Sequence, residues 1–137
     1  RLFKEKKKRI LEYIHSNGID PKTKLPHPLS RIELAFEEAK VHIDEHKDEM
    51  QQVEAILKKL RLILPISFDS SQFSVVVPAQ YGGKVHAVLR GIARVIKEEW
   101  GGQGEWMGTV EVPAAKRADL FDKLGHLTHG EVQITEL

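Results

Sequence analysis

Apolar residues recur along the first half of the chain at the three-to-four-residue spacing of a helix that buries one face. Leu2, Phe3, Ile10, Leu11 and Ile14 form the first such stripe. Gly18 follows it as a C-cap suited to the left-handed conformation, which predicts a helix end near Asn17. Pro21, Pro26 and Pro28 then crowd one short segment, and their fixed φ and missing amide protons predict a stiff connecting loop over Ile19–Pro28. Pro28 suits the first position of a second helix, with Ile32, Ala35, Phe36 and Ala39 on its inner face. Asp44 marks a break, and Met50, Val53, Ile56, Leu57 and Leu60 make a third stripe that Pro65 stops. Residues 1–64 are therefore expected to form a three-helix bundle.

From Ser67 the period changes to two, and β-branched runs such as Phe73-Ser74-Val75-Val76-Val77 appear. A second domain over 66–137 follows. It contains a weak internal repeat: Val76-Val77-Pro78-Ala79 returns as Glu111-Val112-Pro113-Ala114, and Val85, Leu89 and Ile92 return at the same offset as Leu120, Leu124 and Leu127. Each copy reads as a strand, a proline-started helix and a returning strand. Gly101-Gly102-Gln103-Gly104 separates two strand-like runs, Arg94–Trp100 and Glu105–Val112, as a hairpin would. The predicted class is α+β, with the helical bundle followed by a β-α-β-β-α-β ferredoxin-like sandwich. On the third strand Trp106, Gly108, Val110 and Val112 share the parity expected to face the helices, leaving Glu105, Met107, Thr109 and Glu111 on the open face.

Charge changes the picture more than length does. The net charge is only +1, but residues 1–64 hold 14 Lys and Arg against 11 Asp and Glu, whereas 65–137 hold 7 against 9. Affinity for phosphate backbones is thus expected in the first half. The densest feature is the run Arg1–Arg9, with six cations and one anion, which reads either as a phosphate-contacting surface or as a solvated helix face. The absence of cysteine excludes disulfides, thiolate zinc sites and thiol nucleophiles, and fits a cytoplasmic protein. No apolar run reaches the ~20 residues that span a bilayer. The chain starts at Arg1 within a charged helical pattern, so an upstream part is expected to be missing.

Catalytic chemistry finds no foothold. There is no phosphate-binding glycine loop, no nucleophile elbow and no dinucleotide fingerprint. Asp119 with Asp122, and Glu37 with Glu38, are ordinary surface spacings. His42 and His46 have the i, i+4 spacing of two helical metal ligands, but Asp44 interrupts the helix and no third ligand is evident, so no metal site and no cofactor is expected. His126 and His129 are read as cations offsetting a helix dipole. Gly82-Gly83 is too slight a signal for a phosphate site. A sheet that shows carboxylates on its open face also argues against base stacking of the RNA-recognition-motif kind.

Within Gly18–Ala35, the elements Pro21-x-Thr23-Lys24-x-Pro26, Ile32-Glu33 and Ala35, leading into His42, resemble the central segment of the Shwachman–Bodian–Diamond syndrome protein family of ribosome maturation factors. The resemblance continues through Leu64-Pro65 and closely matches archaeal members. It implies the central and C-terminal domains of a three-domain protein, the latter similar to domain V of translocase elongation factors, with the N-terminal domain absent. It implies binding to rRNA and proteins of the large ribosomal subunit. It further implies cooperation with an elongation-factor-like GTPase that evicts an anti-association initiation factor, the GTPase doing the chemistry. Leu25 stands where eukaryotic members often carry a basic residue. Lys6, Lys7, Lys8 and Arg9, with Lys22, Lys24 and Arg31, are the candidate phosphate contacts, being cationic and in the basic half. A monomer is expected. The alternative is a ligand-sensing regulatory domain with a helical dimerisation arm.

Overall fold

The computed structural model describes residues 2–137, with the side chain of Leu2 outside the description. Arg1, the first cation of the basic run, and the Leu2 side chain, the first position of the first stripe, therefore lie outside the described residues. The chain packs as two units divided between Phe68 and Asp69.

The first unit contains α1 (Leu2–Asn17), α2 (Leu29–Glu38) and α3 (Glu49–Leu60). Ile10, Leu11 and Ile14 of α1, Ile32, Ala35 and Phe36 of α2, and Val53, Ile56, Leu57 and Leu60 of α3 form one buried cluster. The spacing of these positions is the reason each segment is a helix: one face is removed from water and the other carries charge. Two members of the expected stripes stay outside. Phe3 is 40% exposed and Met50 54% exposed. Both sit in a first turn, before the helix face meets its neighbours. Gln52 occupies the inward position instead, 7% exposed.

Helix ends differ from expectation in instructive ways. Pro28 is the N-cap and α2 begins at Leu29. The second helix breaks before Asp44: Ala39 is its C-cap, and Lys40 takes φ 52°, a left-handed residue that turns the chain. Asp48 caps α3 by accepting from the Met50 amide. Gly18 is not in the left-handed region, where the glycines are Gly91, Gly104 and Gly130. It is small for another reason. A Cβ there would come within 2.8 Å of Ile66 Cγ2 and 2.9 Å of both Ile14 O and Phe68 Cε1. That close approach lets Ile19 and Ser67 exchange two backbone hydrogen bonds of 2.9 Å. Leu64, Ile66 and Phe68 accordingly pack with the helices, past Pro65.

The second unit runs β1 (Ser70–Val77), α4 (Val85–Leu89), β2 (Arg94–Trp100), β3 (Trp106–Pro113), α5 (Arg117–Leu127) and β4 (Gln133–Glu136). Its four strands lie in the order β2-β3-β1-β4, every pair antiparallel. The class is α+β. The internal repeat is visible as two strands, each closed by a proline: Pro78 and Pro113 cap 3-10 turns over Ala79–Lys84 and Ala114–Lys116, and only then do α4 and α5 begin. The helices are thus started by a 3-10 turn and not by proline directly. Alternation places Phe73, Val75 and Val77 of β1 and Trp106, Val110 and Val112 of β3 in the core with Val85, Leu89, Leu120 and Leu124. Gly108 is required there, since a Cβ would run into the Trp106 ring. At the end of α5 it is Thr128 that caps, its hydroxyl donating to Leu124 O at 2.8 Å and accepting from the Val132 amide. His126 lies in the last turn and His129 follows it with φ 54°.

Candidate nucleic-acid interface

The proline-rich connector of the helical unit is closed by hydrogen bonds of its own. The Asp20 amide donates to Leu25 O and the Lys24 amide to Asp20 O, both at 2.8 Å. Asp20 Oδ1 accepts from the Lys22 amide at 2.9 Å, and Thr23 Oγ1 from the Leu25 amide at 3.2 Å. These local bonds are what Asp and Thr side chains offer a turning backbone. Lys24 takes φ 64° to complete the turn.

The loop is anchored at both ends. Ile19 pairs with Ser67 before it. After it His27, 4% exposed, donates from Nε2 to Pro65 O at 2.6 Å, while His15 Nδ1 donates to His27 O at 2.9 Å. Pro26 and Pro28 on either side of His27 exclude a helix there and aim the imidazole inward. The segment between the anchors, from Pro21 to Pro26, is exposed. Lys22 and Lys24 project from it with no ion pair among the described residues, and Leu25 beside them is 63% exposed.

The basic run on α1 divides into two kinds. Lys6 Nζ donates to Lys47 O at 2.6 Å, and Arg9 Nε forms an ion pair with Glu49 on the first turn of α3. The Arg9 hydrogen bond holds the Glu49 carboxyl below its ordinary value. These two cations hold the 41–48 connector and the start of α3. Lys8 is exposed and Lys7 half-exposed, and neither makes an ion pair among the described residues. Arg31 is exposed in the first turn of α2. The fold therefore brings Lys22 and Lys24 together on one closed loop and draws Lys6 and Arg9 toward Lys47 and Glu49.

Two structural residues escaped the sequence reading. Gln52 donates from Nε2 to Asp44 O at 2.8 Å and to Lys47 O at 3.1 Å, and accepts from the Asp44 amide at 2.8 Å. Gln52, set between Gln51 and Val53 in a polar stretch, carried no signal that would have singled it out. His27 had one, its place between two prolines. On the sheet, the central strands turn Phe73 and Trp106 inward, both fully buried, and present Gln72, Ser74, Val76, Met107, Thr109 and Glu111 on the other face. Arg94 crosses to Glu111 at 3.0 Å on that face. No aromatic of these two strands is available to stack a base. His42 and His46 lie in the 41–48 connector and not on a helix, and no group of three or more His, Cys, Asp or Glu among the described residues is arranged to hold a metal. No described helix is long and apolar enough to cross a membrane.

These features define a two-unit α+β chain with an anchored cationic loop. Family models match it in two adjoining stretches: SBDS protein, domain II, over residues 8–69, and SBDS protein, C-terminal domain, over residues 72–137. The chain belongs to the SBDS protein family and carries its domain II and C-terminal domain. It is 34% identical to the ribosome maturation protein SDO1 homolog of Methanothermobacter thermautotrophicus over 97% of this chain and 57% of that protein. It is 30% identical to the homolog from Aeropyrum pernix over 98% of this chain and 58% of that protein. The ribosome maturation protein SBDS of Caenorhabditis elegans is 26% identical over 95% of this chain and 52% of that protein. The chain thus spans somewhat over half the length of the curated relatives it matches. A crystal structure of a hypothetical protein aligns with 71% of this chain and 47% of that chain at 17% identity and a TM-score of 0.45, too low a similarity to bear on the fold.

Proposed function

We propose that these two units are the central and C-terminal parts of a ribosome maturation factor that binds the large ribosomal subunit through rRNA and ribosomal proteins, in the cytoplasm and as a monomer. The chain performs no catalysis and needs no cofactor. It supports release of an anti-association initiation factor by an elongation-factor-like GTPase, and GTP hydrolysis belongs to that partner. The names of the relatives support the maturation role. The β-α-β-β-α-β order and the β2-β3-β1-β4 arrangement support reading residues 69–137 as a ferredoxin-like sandwich akin to elongation factor domain V.

The observation that carries the RNA reading is the anchored loop. Lys22 and Lys24 are displayed on a backbone already closed by its own hydrogen bonds, so little conformational entropy is lost when they meet phosphates. Counterion release then supplies the affinity. Lys7, Lys8 and Arg31 are the further phosphate contacts we assign. Lys6 and Arg9 contribute through their remaining N–H groups while holding the neighbouring connector.

The test is co-sedimentation of the chain with purified large ribosomal subunits across a salt series, for the native sequence and for Lys22→Glu with Lys24→Glu. The double reversal should weaken binding and flatten the dependence of log K on log salt by about two units, near one for each phosphate no longer neutralised. An unchanged slope would remove the loop from the interface. No salt-dependent binding by the native chain would overturn the reading as a whole.

A further inference from the structure

The helical side of the sheet unit holds a surface that includes none of the phosphate contacts proposed above. Between α4 and α5 lies an open groove of about 610 Å³, within the size range of clefts that take ligands and side chains. Ala87, Val88 and Leu127 form its floor. Val88 and Leu127 are half-buried, and Ala87 and Val88 are short beside the long side chains of Arg90 and Lys123. Arg90, Lys123 and His126 stand on the rim, all exposed, and Asp122 is the single acidic residue among the lining.

The rim cations are uncommitted. Arg94 and Arg117 of the same unit are ion-paired to Glu111 and Glu136, and Lys116 donates to Gly91 O. Arg90 and Lys123 have no such partner among the described residues. The groove on the open sheet face differs, because Lys97 there is matched by Glu98 and Glu99 and its charge does not select a ligand. An apolar floor with an unpaired basic rim is complementary to a segment bearing aliphatic side chains on one face and carboxylates beside them. Its lining holds no Phe, Tyr or Trp, the large ring faces on which successive nucleic-acid bases stack.

We propose that the α4–α5 groove docks an acidic amphipathic segment of a protein partner. Its aliphatic side chains rest on Val88 and Leu127, and its carboxylates face Arg90 and Lys123, with the imidazole of His126 beside them. This surface stands apart from the RNA reading and survives or fails independently of it.

The full chain, isotope-labelled for amide NMR, is titrated with short synthetic helices carrying leucines at helical spacing and glutamates beside them. Controls are the same peptides with lysine in place of glutamate, and a single-stranded RNA oligonucleotide. The expected result is shifts concentrated at the amides of Ala87–Arg90 and Asp122–Leu127. Arg90→Glu with Lys123→Glu should weaken binding by about tenfold or more, and Arg90→Lys with Lys123→Arg should restore most of it. Both positions are exposed, so an unchanged amide spectrum of the free variants shows an intact fold. Any of these results would overturn the proposal: no shift at millimolar peptide, shifts elsewhere, equal binding of the lysine peptides, or tighter binding of RNA to the same amides. Shifts of those amides on dilution of the free chain would assign the groove to a second copy and overturn it likewise.

Discussion

The two units satisfy their backbones by different means. In the sheet unit the ladders among β1, β3, β2 and β4 pair backbone with backbone, and polar side chains pair with one another in Arg94–Glu111, Arg117–Glu136 and His86–Glu98, with Thr128 and Lys116 reaching backbone groups only in the connections. In the helical unit the connectors have no ladder, and side chains reach back to their carbonyls: Lys6 to Lys47, Gln52 to Asp44 and Lys47, His27 to Pro65, Arg61 to Ile66. A backbone group withheld from water must find a partner, and where secondary structure supplies none a side chain does. The lesson is that a polar residue in the helical unit is as much a structural tie as a functional group. Cations free of such ties, Lys22 and Lys24 foremost, are the better candidates for contact with a partner.

The largest test of this contrast is Trp106→Ala. The side chain is fully buried in the sheet unit, with its Nε1 donating to Glu98 at 3.1 Å, and its loss should cost about 3–5 kcal/mol. In urea followed by amide NMR, resonances of 69–137 should lose their cooperative transition first. Equal loss across 2–68 would show that the units do not unfold separately.

His27→Ala is the counterpart in the helical unit. It removes one buried donor and leaves the Pro65 carbonyl without its partner, at an expected cost of about 1–3 kcal/mol. Hydrogen exchange at Ile19, Ser67 and Leu25 should accelerate. Unchanged protection there would mean that the Ile19–Ser67 bridge alone holds the loop.

The smallest effect separates the units by pH. Glu49 is held low by its hydrogen bond from Arg9, and Glu136 by its hydrogen bond from Arg117, one in each unit. Each folded value lies below the unfolded one, so both pairs stabilise above the unfolded carboxylate value of about 4.3 and lose that contribution as pH falls through the folded values. Glu49→Gln should flatten the acid limb of stability in 2–68 and leave that of 69–137 unchanged. Denaturant midpoints read per unit between pH 6 and pH 3 check it.

Much of this molecule was legible beforehand because burial imposes a period. The helical stripes, the switch to alternation near Ser67, the inward parity of Trp106, Val110 and Val112, and the proline-marked repeat all express which residues must leave water. What was not legible depends on neighbours distant in sequence. Phe3 and Met50 fit their stripes but lie in first turns that the core does not cover. Gly18 looked like a left-handed cap, yet its role is to admit Ile66 and Phe68. Of the candidate cations, Lys6 and Arg9 proved to be tied to Lys47 and Glu49, some 40 positions away.

The sequence by itself determined the order of elements, the two kinds of periodicity and the family, because these follow from residue chemistry taken a few positions at a time. Only the tertiary structure decided which cations are free, why Gly18 is small, and that His27 closes the lysine-bearing loop. Those facts rest on contacts between segments that meet only after the chain has folded.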